Sequence, residues 1–502
     1  MENNEILISV DEKEKRVAIL ENRKLEEFFL ERTNSDHLAG NIYKGKVAQV
    51  VKGMEAAFVD IGLGKNGFLY IQELLPETLK LDEYSVEPAD DAQKNGIKKE
   101  RPDKVSIDSL LTKGQEVLVQ VVKEPFGTKG CRLTSQISLP GRFLVIMPYS
   151  KNIGISKKIT NDKERLRLKN LLKEIGLTKD MGCIIRTQAQ GMGRREFVRE
   201  LNYLLRLWKI IKIKSARRQA PCLIHEEFDL ILRTARDLFN DQINQFVLDQ
   251  KDDFKRVLGF IKTLAPQLSK KLKLHKEKID LFEKFDVEPQ IEEIFQKQIS
   301  LKKGGYLVIE RTEALISIDV NSGKFVNRSR LEETAFLTNF EAAKEIARQI
   351  ILKDLAGIIV VDFIDMQKNQ HQKKILQVLT KAMEKDKARS TIYPFSPLGV
   401  VQIARQRIRK NIETMIFETC PHCQGRGKVK STQTIAVKVL REIKKFILKN
   451  KKRYLKVAVN PQIAMRLFNE DRVAITNLEK RMWARIAIIT DEHLGIEDVR
   501  FL

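Results

Sequence analysis

The sequence predicts an α/β protein of several domains in an α+β arrangement. Its 502 residues exceed what one hydrophobic core supports, which indicates roughly three or four domains. Residues 37–135 alternate short apolar runs with glycine-containing turns, a pattern typical of a small barrel. Residues 304–417 give the order strand, helix, strand, which favours a parallel pair of strands in a sheet.

The N-terminal third reads mainly as short strands. Three apolar runs separated by charged turns predict strands at Ile6 to Val10, Val17 to Leu20 and Leu25 to Leu30. The barrel block adds strands at Asn41 to Val47, Ala56 to Ile61, Gly67 to Tyr70 and Val117 to Val122. Residues 84–106 are polar and poorly patterned, which predicts a surface insertion.

The middle of the chain is predicted to be mostly helical. A strand at Phe143 to Met147 comes first. A long helix follows, with apolar residues at helical spacing: Phe197, Leu201, Leu204, Leu205, Trp208 and Ile211. Residues 223–294 are mixed, with helical patterns over 226–250 and 252–272.

The block at 304–417 is predicted to open with a hairpin of strands over 306–309 and 315–320. Ser329 and Glu332 form a capping-box pattern, which predicts a helix from there to about Leu352. The β-branched run at 358–361 then predicts a buried strand. The segment from 431 to 502 predicts a final small α/β unit.

The composition favours a polyanionic partner. The chain carries 91 Lys and Arg against 67 Asp and Glu, a formal net charge of +24. Nucleic acid is the first candidate and an anionic membrane surface the second, while a generally lysine-rich composition would be the uninformative explanation. No run reaches the ~18 apolar residues that span a bilayer, and the polar, acidic N-terminus predicts no secretory signal.

Two acidic segments at strand ends predict a metal site. Asp319 and Asn321 are two residues apart, so on a strand they face the same side. Asp362 ends the next predicted strand, and Asp365 follows it with an expected structural role. A single Asp at a strand end is commonly a turn or cap residue. Two of them in a basic chain predict Mg²⁺-assisted phosphodiester chemistry.

Aromatic and basic residues elsewhere predict contacts with nucleic acid. Phe58 and Phe68 lie on predicted barrel strands, with Lys123 and Lys129 nearby in sequence. Such aromatics stack unpaired bases and lysines follow the phosphates, although both phenylalanines would also fit a core. The dipeptide Arg186-Thr187 could bind a terminal phosphate, with turn amides at 191–193, or lie on an ordinary surface strand.

The pair Cys420 and Cys423 is half of a zinc site, because the chain has no second CxxC. The pair could be redox-active, could be completed by His422 and another residue, or could be completed by a second copy of the protein. No thioredoxin-like βαβ pattern is expected around it, which disfavours the redox alternative. The other three cysteines are scattered and fit a reducing compartment.

The motifs together resemble those of the ribonuclease E/G family, and the resemblance runs through essentially the whole chain. Its long ordered motifs are Asn41 to Lys46, Ala56 to Asp60, Arg186-Thr187, Ile318 to Ser322, Glu332 to Asn339, Val361 to Met366 and Cys420 to Cys423. A match of this length is specific.

The resemblance implies a domain order. An S1 domain of OB fold (37–135) would be inserted in an RNase H-like subdomain, before a DNase I-like catalytic domain. The implied segments are 1–36 and 223–294 for the RNase H-like subdomain, 136–222 for the 5′-sensor region, 295–417 for the catalytic domain, 418–430 for the zinc link and 431–502 for the small C-terminal domain.

The resemblance also implies roles for individual residues. Asp319 and Asp362 would hold the catalytic Mg²⁺, with Asn321 supporting them. Cys420 and Cys423 would share a structural Zn²⁺ with a second chain, giving a homodimer or a homotetramer, without His422 as a ligand. RNA contacts would come from Phe58, Phe68, Lys129 and Arg389, and the 5′-phosphate sensor from Arg186, Thr187 and Val145.

The implied activity is single-strand-specific endonucleolytic cleavage of RNA by water, leaving 5′-phosphate products. The implied substrates are ribosomal RNA precursors and messenger RNA, preferably 5′-monophosphorylated. The short chain, without an acidic scaffold tail, is closer to ribonuclease G or to plastid forms, in the bacterial cytoplasm or the plastid stroma. The rival hypotheses are a non-catalytic RNA-binding protein on the same fold and a metal-dependent deoxyribonuclease.

Overall fold

The computed structural model forms two compact units, Met1–Ile412 and Glu413–Leu502, and each is described by itself. The residues that the structure describes are 3–32, 37–74, 84–87, 106–125, 129–176, 181–302, 304–323, 331–407 and 412–502.

The strands are, in chain order, β1 (Asn4–Val10), β2 (Glu14–Glu21), β3 (Lys24–Arg32), β4 (Ile42–Val51), β5 (Ala56–Asp60), β6 (Gly67–Tyr70), β7 (Tyr84–Glu87), β8 (Glu116–Lys123), β9 (Arg132–Thr134), β10 (Leu139–Pro140), β11 (Leu144–Met147), β12 (Ile153–Ser156), β13 (Gly182–Ile185), β14 (Cys222–His225), β15 (Gln245–Leu248), β16 (Leu272–Leu274), β17 (Gln298–Ser300), β18 (Tyr306–Arg311), β19 (Leu315–Asn321), β20 (Gly357–Asp362), β21 (Ser390–Ile392), β22 (Val400–Arg405), β23 (Tyr454–Val459), β24 (Arg485–Thr490) and β25 (Val499–Phe501).

The α-helices are α1 (Ile107–Leu110), α2 (Asp162–Ile175), α3 (Arg194–Arg217), α4 (Leu230–Asp237), α5 (Lys251–Leu264), α6 (Leu281–Lys284), α7 (Val287–Ile294), α8 (Leu331–Leu352), α9 (Asn369–Met383), α10 (Ile412–Ile416), α11 (Thr432–Asn450), α12 (Pro461–Asn469) and α13 (Arg472–Met482). Short 3₁₀ turns cover Lys52–Met54, Ile71–Glu73, Thr187–Ala189 and Pro266–Lys271.

The first sheet joins two distant parts of the chain in the order β16-β15-β1-β2-β3. Strands β1 to β3 are antiparallel, whereas β15 and β16 run parallel to β1, which is the RNase H-like arrangement. The predicted helix over 226–250 is therefore wrong in part, because Gln245–Leu248 forms β15 beside β1. A short apolar run buried on both faces carries no periodicity that separates a strand from a helix.

The predicted barrel is confirmed. Its five strands follow the order β4-β5-β6-β9-β8, and β4 pairs with β8 to close it, as in an OB fold. Inward side chains such as Val47, Val59, Leu69 and Leu133 are buried and form its core. The outward positions between them remain open to solvent or half-open, so the barrel offers an outer surface for contacts.

A third sheet, in the order β10-β11-β13-β12-β7, packs with α2 and α3. Helix α3 confirms the prediction from apolar spacing, since Phe197, Leu204, Trp208 and Ile211 are buried on one face. Strand β7 falls within the predicted insertion and pairs with β12, while residues 88–105 of that insertion lie outside the described residues.

The sheet that carries the acidic segments has the order β17-β18-β19-β20-β22-β21. The predicted hairpin of β18 and β19 is confirmed, and β20 runs parallel to β19 as expected. Helices α8 and α9 cover one face, where Ile316, Ile318 and Val320 are buried. Alternate residues therefore point to the opposite face, which is open.

The second unit is a small α/β fold. Strands β23 and β24 are parallel and are connected through α12 and α13, while β25 adds an antiparallel edge. Helix α11 packs its apolar face on this sheet through Ile435, Val439 and Ile443. Across the whole described part of the chain, the helices are too short or too polar to span a membrane.

Candidate active site and RNA-contacting surfaces

The two acidic segments meet at one edge of the open sheet. Asp319, near the end of β19, lies directly beside Asp362, the last residue of β20, in the parallel register. Adjacent strands are about 4.8 Å apart, so the two carboxylates are neighbours. Both are exposed, while Ile318 and Val361, one residue earlier, are buried. The buried residues fix the backbone and leave the carboxylates open to solvent.

Asn321 orients one of these carboxylates. Its Nδ2 donates to Oδ2 of Asp319 over 2.7 Å, across the same face of β19. The side chain leaves the other oxygens of the pair open. Asp365 is exposed in the loop after β20, and its expected structural role stays a prediction.

Asn339 is a positioning residue that carried no recognisable signal in the sequence. It is fully buried on α8, donates from Nδ2 to the carbonyl of Ile364 over 2.7 Å and accepts the N–H of Ile364 over 3.1 Å. This paired bond clamps the loop that follows Asp362 to the helix behind it. Only the resemblance, through the motif ending at Asn339, singled out this position.

Glu332, the acidic residue of the predicted capping box, makes contacts that the prediction does not include. Its carboxylate accepts the N–H groups of Gln367 and Lys368 over 2.9 and 3.2 Å, and it contacts Nδ1 of His371 at 2.8 Å. These N–H groups precede and open α9, so Glu332 satisfies the start of another helix. The hydrogen bonds to Gln367 and Lys368 lower the pKa of Glu332. The predicted partner, Ser329, lies outside the described residues.

The acidic pair fits a magnesium ion. Within the described residues, no group of three or more His, Cys, Asp or Glu side chains could hold a metal. Mg²⁺ keeps several waters and is commonly bound through one or two carboxylates together with phosphate oxygens. Two adjacent, exposed carboxylates therefore suit Mg²⁺ with its waters better than a closed site of protein ligands.

The barrel presents an aromatic row on its outer face. Phe58 and Phe68 are cross-strand partners on β5 and β6, and their rings meet edge to face with centroids 5.3 Å apart. Both are half-buried rather than enclosed in the core, so the alternative of core phenylalanines does not hold. Tyr70, two residues along β6, extends the row at 4.3 Å from Phe68. The alternation of β6 could have predicted Tyr70 as well.

Cations flank this row. Arg132 lies over the ring of Tyr70 at 5.3 Å and is held there by Glu73. Lys123 is the cross-strand partner of Arg132, and it is exposed, as is Lys129 just before β9. Lys123 thus lies on β8, two strands from β6, and Lys129 precedes β9, the strand next to β6.

Arg389 does not lie beside the acidic pair. It immediately precedes β21, whose first residue pairs with Arg405, and Arg405 pairs with Gly357 at the start of β20. Asp362 is at the other end of β20, so Arg389 and the acidic pair occupy opposite ends of the sheet. Its predicted contact with RNA would involve a different part of the substrate.

The predicted 5′-phosphate pocket is assembled around Arg186. The N–H of Arg186 bonds to the carbonyl of Phe143, and its Nη1 donates to the carbonyl of Gly141 over 2.5 Å. Nη1 also pairs with Oδ1 of Asp237 at 2.6 Å. Val145 lies on the adjacent strand β11. The guanidinium is therefore fixed, and a carboxylate already neutralises it.

The rest of the pocket is held by polar contacts. Thr187 shares a hydrogen bond of 3.0 Å with Ser156. The amide of Gly191, predicted to face a phosphate, instead donates to Oε1 of Glu164 over 2.9 Å. The hydrogen bond from Arg167 lowers the pKa of Glu164 to about 2. The Gly191 amide thus serves a protein carboxylate, while that of Met192 bonds to the carbonyl of Ala189.

Two acidic groups lie behind Arg186. Burial opposes the ionisation of Asp237, but the charges of Arg236 and Arg186 outweigh it and lower its pKa. Glu200, on α3, is buried and accepts the N–H groups of Phe143 and Leu144 over 2.8 and 3.0 Å, and that of Arg142. Burial raises the pKa of Glu200 to about 7 in spite of these bonds.

The cysteine pair lies in turns before α11. Cys420 is exposed and Cys423 half-buried, and both are free thiols. The N–H of Gly427 lowers the pKa of Cys423, which favours the thiolate form that binds zinc. His422 is exposed between them. The two sulfurs supply half of a tetrahedral site.

Comparison with known sequences covers almost the whole chain. Residues 138–408 match the profile described as "Ribonuclease E/G family" and residues 36–129 match "S1 RNA binding domain". Residues 419–501 match "RNase E/G, Thioredoxin-like domain". The expectation of no thioredoxin-like context was therefore wrong, because β23, α12, α13 and β24 form a βαβ unit after the cysteines. The pair nevertheless precedes this unit rather than lying in it.

Curated relatives agree with the profiles. The chain is 37% identical to ribonuclease G of Haemophilus influenzae over 502 residues, covering 99% of each protein. It is 37% identical to ribonuclease G of Salmonella typhimurium over 95% of this chain and 94% of that protein. It is 36% identical to ribonuclease E of Escherichia coli over 97% of this chain, but covers 45% of that longer protein. The chain belongs to the ribonuclease E/G family.

Proposed function

We propose that this endoribonuclease cuts single-stranded RNA with the help of Mg²⁺ at Asp319 and Asp362, favours 5′-monophosphorylated ends and leaves 5′-phosphates. The observation that carries the proposal is the register of the parallel strands, which places the exposed residues Asp319 and Asp362 side by side at the ends of β19 and β20. Membership in the ribonuclease E/G family and the match to an S1 domain support RNA as the substrate.

Each residue of the acidic pair would have a defined task. Asp319 and Asp362 would hold Mg²⁺, which polarises the scissile phosphate and stabilises charge on the attacking and leaving oxygens. Asn321 holds Asp319 in one orientation by its 2.7 Å hydrogen bond. Asn339 keeps the loop after Asp362 in place. A water molecule would attack the phosphorus while the bond to the 3′ oxygen breaks and that oxygen takes up a proton, so the phosphate would stay on the 5′ end of the downstream product.

The barrel would hold the strand close to the cut. Bases that leave a helix expose their faces, and Phe58 and Phe68 offer rings on which such bases stack. Lys123, at the end of β8, and Lys129, just before β9, are exposed and would pair with backbone phosphates. A base within a duplex is already stacked, so this surface would select single strands.

The arginine pocket would recognise the 5′ end. Arg186 and Thr187 are natural donors to a terminal monophosphate, and Val145 lines the adjacent strand. A triphosphate is bulkier than a monophosphate and would fit the pocket less well. The pocket would therefore favour RNA that has lost its terminal pyrophosphate.

The cysteine pair would join two copies of the chain. Cys420 and Cys423 supply two thiolates, and a second copy would supply the other two of a closed Zn²⁺ site. We expect the double variant Cys420→Ser with Cys423→Ser to give monomers by light scattering and to lose bound zinc. An unchanged oligomer mass would contradict the zinc link, and a cysteine disulfide without zinc would favour the redox alternative.

We propose ribosomal RNA precursors and messenger RNA as the substrates in the cell; the relatives named ribonuclease G support RNA as the substrate class. The test of the reaction compares RNA and DNA single strands of the same sequence, each 5′-monophosphorylated, with and without Mg²⁺. We expect cleavage of RNA alone, only with the metal, and 5′-phosphate products. Equal cleavage of DNA would favour a deoxyribonuclease, and intact RNA would favour a non-catalytic RNA-binding protein.

A further inference from the structure

The second unit has a shallow cleft of about 760 Å³, broadly open to solvent, that the proposed reaction does not use. It lies where β23 and β24 begin and α13 ends. Tyr454 and Arg485 are neighbours at the first paired position of the two parallel strands. Trp483 follows the last residue of α13. The other lining residues are Arg453, Glu479, Lys480, Ala484, Ile486 and Ala487.

Trp483 is unusually placed for an indole. Its side chain is 86% exposed, whereas Trp208, the other tryptophan, is 3% exposed in the core of the first unit. Its φ of 48° lies in the left-handed region, where glycine or asparagine is favoured after a helix. This conformation ends α13, because the N–H of Trp483 bonds to the carbonyl of Glu479. The exposure has no such structural explanation, since an exposed indole adds little to the core, and it points to a role in binding.

The cleft is positively charged. Within residues 413–502 as the structure describes them, the exposed cations Arg453, Lys480 and Arg485 form no ion pair. Glu479 is the acidic member of the lining, and its Oε1 already accepts the N–H of Ile486 over 2.8 Å. These three cations are therefore available to an anionic ligand, because no carboxylate in the described part of this unit pairs with them.

We propose that this cleft is a second binding site for single-stranded RNA, separate from the barrel. A base would stack on Trp483 beside Tyr454, and the flanking phosphates would pair with Arg453, Lys480 and Arg485. Tryptophan, tyrosine and arginine are also enriched in protein interfaces. RNA is the better occupant because every nucleotide brings a phosphate, which supplies the countercharge that these unpaired cations need. The proposal uses RNA as the substrate of the family and does not depend on how the acidic pair cuts it.

Tryptophan fluorescence provides a direct test. The probe is an oligouridylate of about ten nucleotides, titrated into the full chain carrying Asp319→Asn without added Mg²⁺. In free protein Trp483 should emit as an exposed indole, and the RNA should quench that emission. Trp483→Phe should lose the quenching, because Trp208 is buried. Binding is measured without cleavage, so a failure of the metal proposal would leave this result intact.

Affinity measurements separate this cleft from the barrel. In a Phe58→Ala and Phe68→Ala background, Trp483→Ala should weaken binding of the same labelled RNA by about fivefold or more. Lys480→Glu with Arg485→Glu should weaken it further and reduce its salt dependence. Matched controls outside the cleft are Met465→Ala, an exposed apolar residue, and Lys444→Glu, an exposed cation.

Two results would overturn the proposal. One is unchanged emission of Trp483 and unchanged affinity in the cleft variants, which would show that RNA does not enter. The other is a buried-indole emission in free protein together with a lower mass for Trp483→Ala by light scattering. That combination would assign the cleft to a contact between copies of the chain.

Discussion

The acidic pair and the arginine pocket differ in how far the protein already neutralises them. Asp319 receives a hydrogen bond from the neutral amide of Asn321, and in the part of the chain that the structure describes neither it nor Asp362 has an ion-pair partner. Arg186 is fixed against Asp237 at 2.6 Å, with Arg236 on the other side of that carboxylate.

This difference separates two kinds of binding. A cation at the acidic pair would add a countercharge where the described residues supply none, so we expect the two carboxylates to depend on their ligand. A 5′-phosphate at Arg186 would replace Asp237, so its binding would exchange one anion for another. The affinity would then reflect only the difference between the free energies of the Arg186–phosphate and Arg186–Asp237 interactions. We infer that the first site is suited to essential chemistry and the second to graded discrimination between RNA ends.

The largest effect should come from removing one charge of the acidic pair. Asp319→Asn keeps the shape and removes the charge, so we expect cleavage to fall at least about a hundredfold while RNA binding persists. Asp365→Asn, an exposed carboxylate three residues after Asp362, is the matched control and should retain activity. Equal losses of cleavage in both variants would mean that the total negative charge of this region, rather than the pair of Asp319 and Asp362, supports the reaction.

The next effect should come from Arg186→Gln. Losing charge-assisted hydrogen bonds should lower kcat/KM on 5′-monophosphorylated RNA by about tenfold. RNA with a 5′-hydroxyl should be cut almost as before, because it offers no phosphate to this pocket. Cleavage assays on the two RNAs give the comparison. An equal loss of kcat/KM on both RNAs would show that Arg186 does not recognise the 5′-phosphate.

A smaller effect of opposite sign should follow from Asp237→Asn. The amide no longer competes as an anion for Arg186, so affinity for 5′-monophosphorylated RNA should rise by about two- to fivefold. Asp252→Asn, a carboxylate with an 88% exposed side chain on α5, is the control and should leave it unchanged. A lower affinity in Asp237→Asn would show that Asp237 chiefly orients the arginine and that the exchange model is wrong.

The sequence predicted the parts of these sites that follow local patterns. Asp319, Asn321 and Asp362 end apolar β-branched runs. The helix between the two strands favours a parallel pairing that brings their ends together, and the structure has that pairing. The barrel was predictable for the same reason, since alternation and turns are local signals.

Contacts between distant segments were not predictable. Asp237 meets Arg186 from a helix 51 positions later, and Glu332 bonds to N–H groups 35 and 36 positions later. Strand β15 was read as helix because its partner, β1, lies more than 200 positions earlier. Propensity and spacing describe neighbours along the chain, whereas these partners are fixed by tertiary packing.

The smallest effect should appear in the pH dependence of stability, through Glu200 behind the arginine pocket. Burial raises its pKa from 4.5 to about 7 in the folded protein. Between those values the folded state keeps a proton that the unfolded state has lost. This contribution to stability is therefore complete below about pH 4.5, falls as the pH rises, and is lost above about pH 7.

The variant Glu200→Gln mimics the protonated acid and should remove this component. Urea unfolding of the two proteins between pH 5 and pH 8 should show the wild type losing stability relative to the variant as the pH rises. Parallel curves would mean that Glu200 ionises normally, held by the N–H groups of residues 142–144.

If the curves diverge, an anion forms near Arg186 as the pH passes through 7. Because that anion opposes a 5′-phosphate, the preference for monophosphorylated RNA should weaken over the same interval, and in Glu200→Gln it should not.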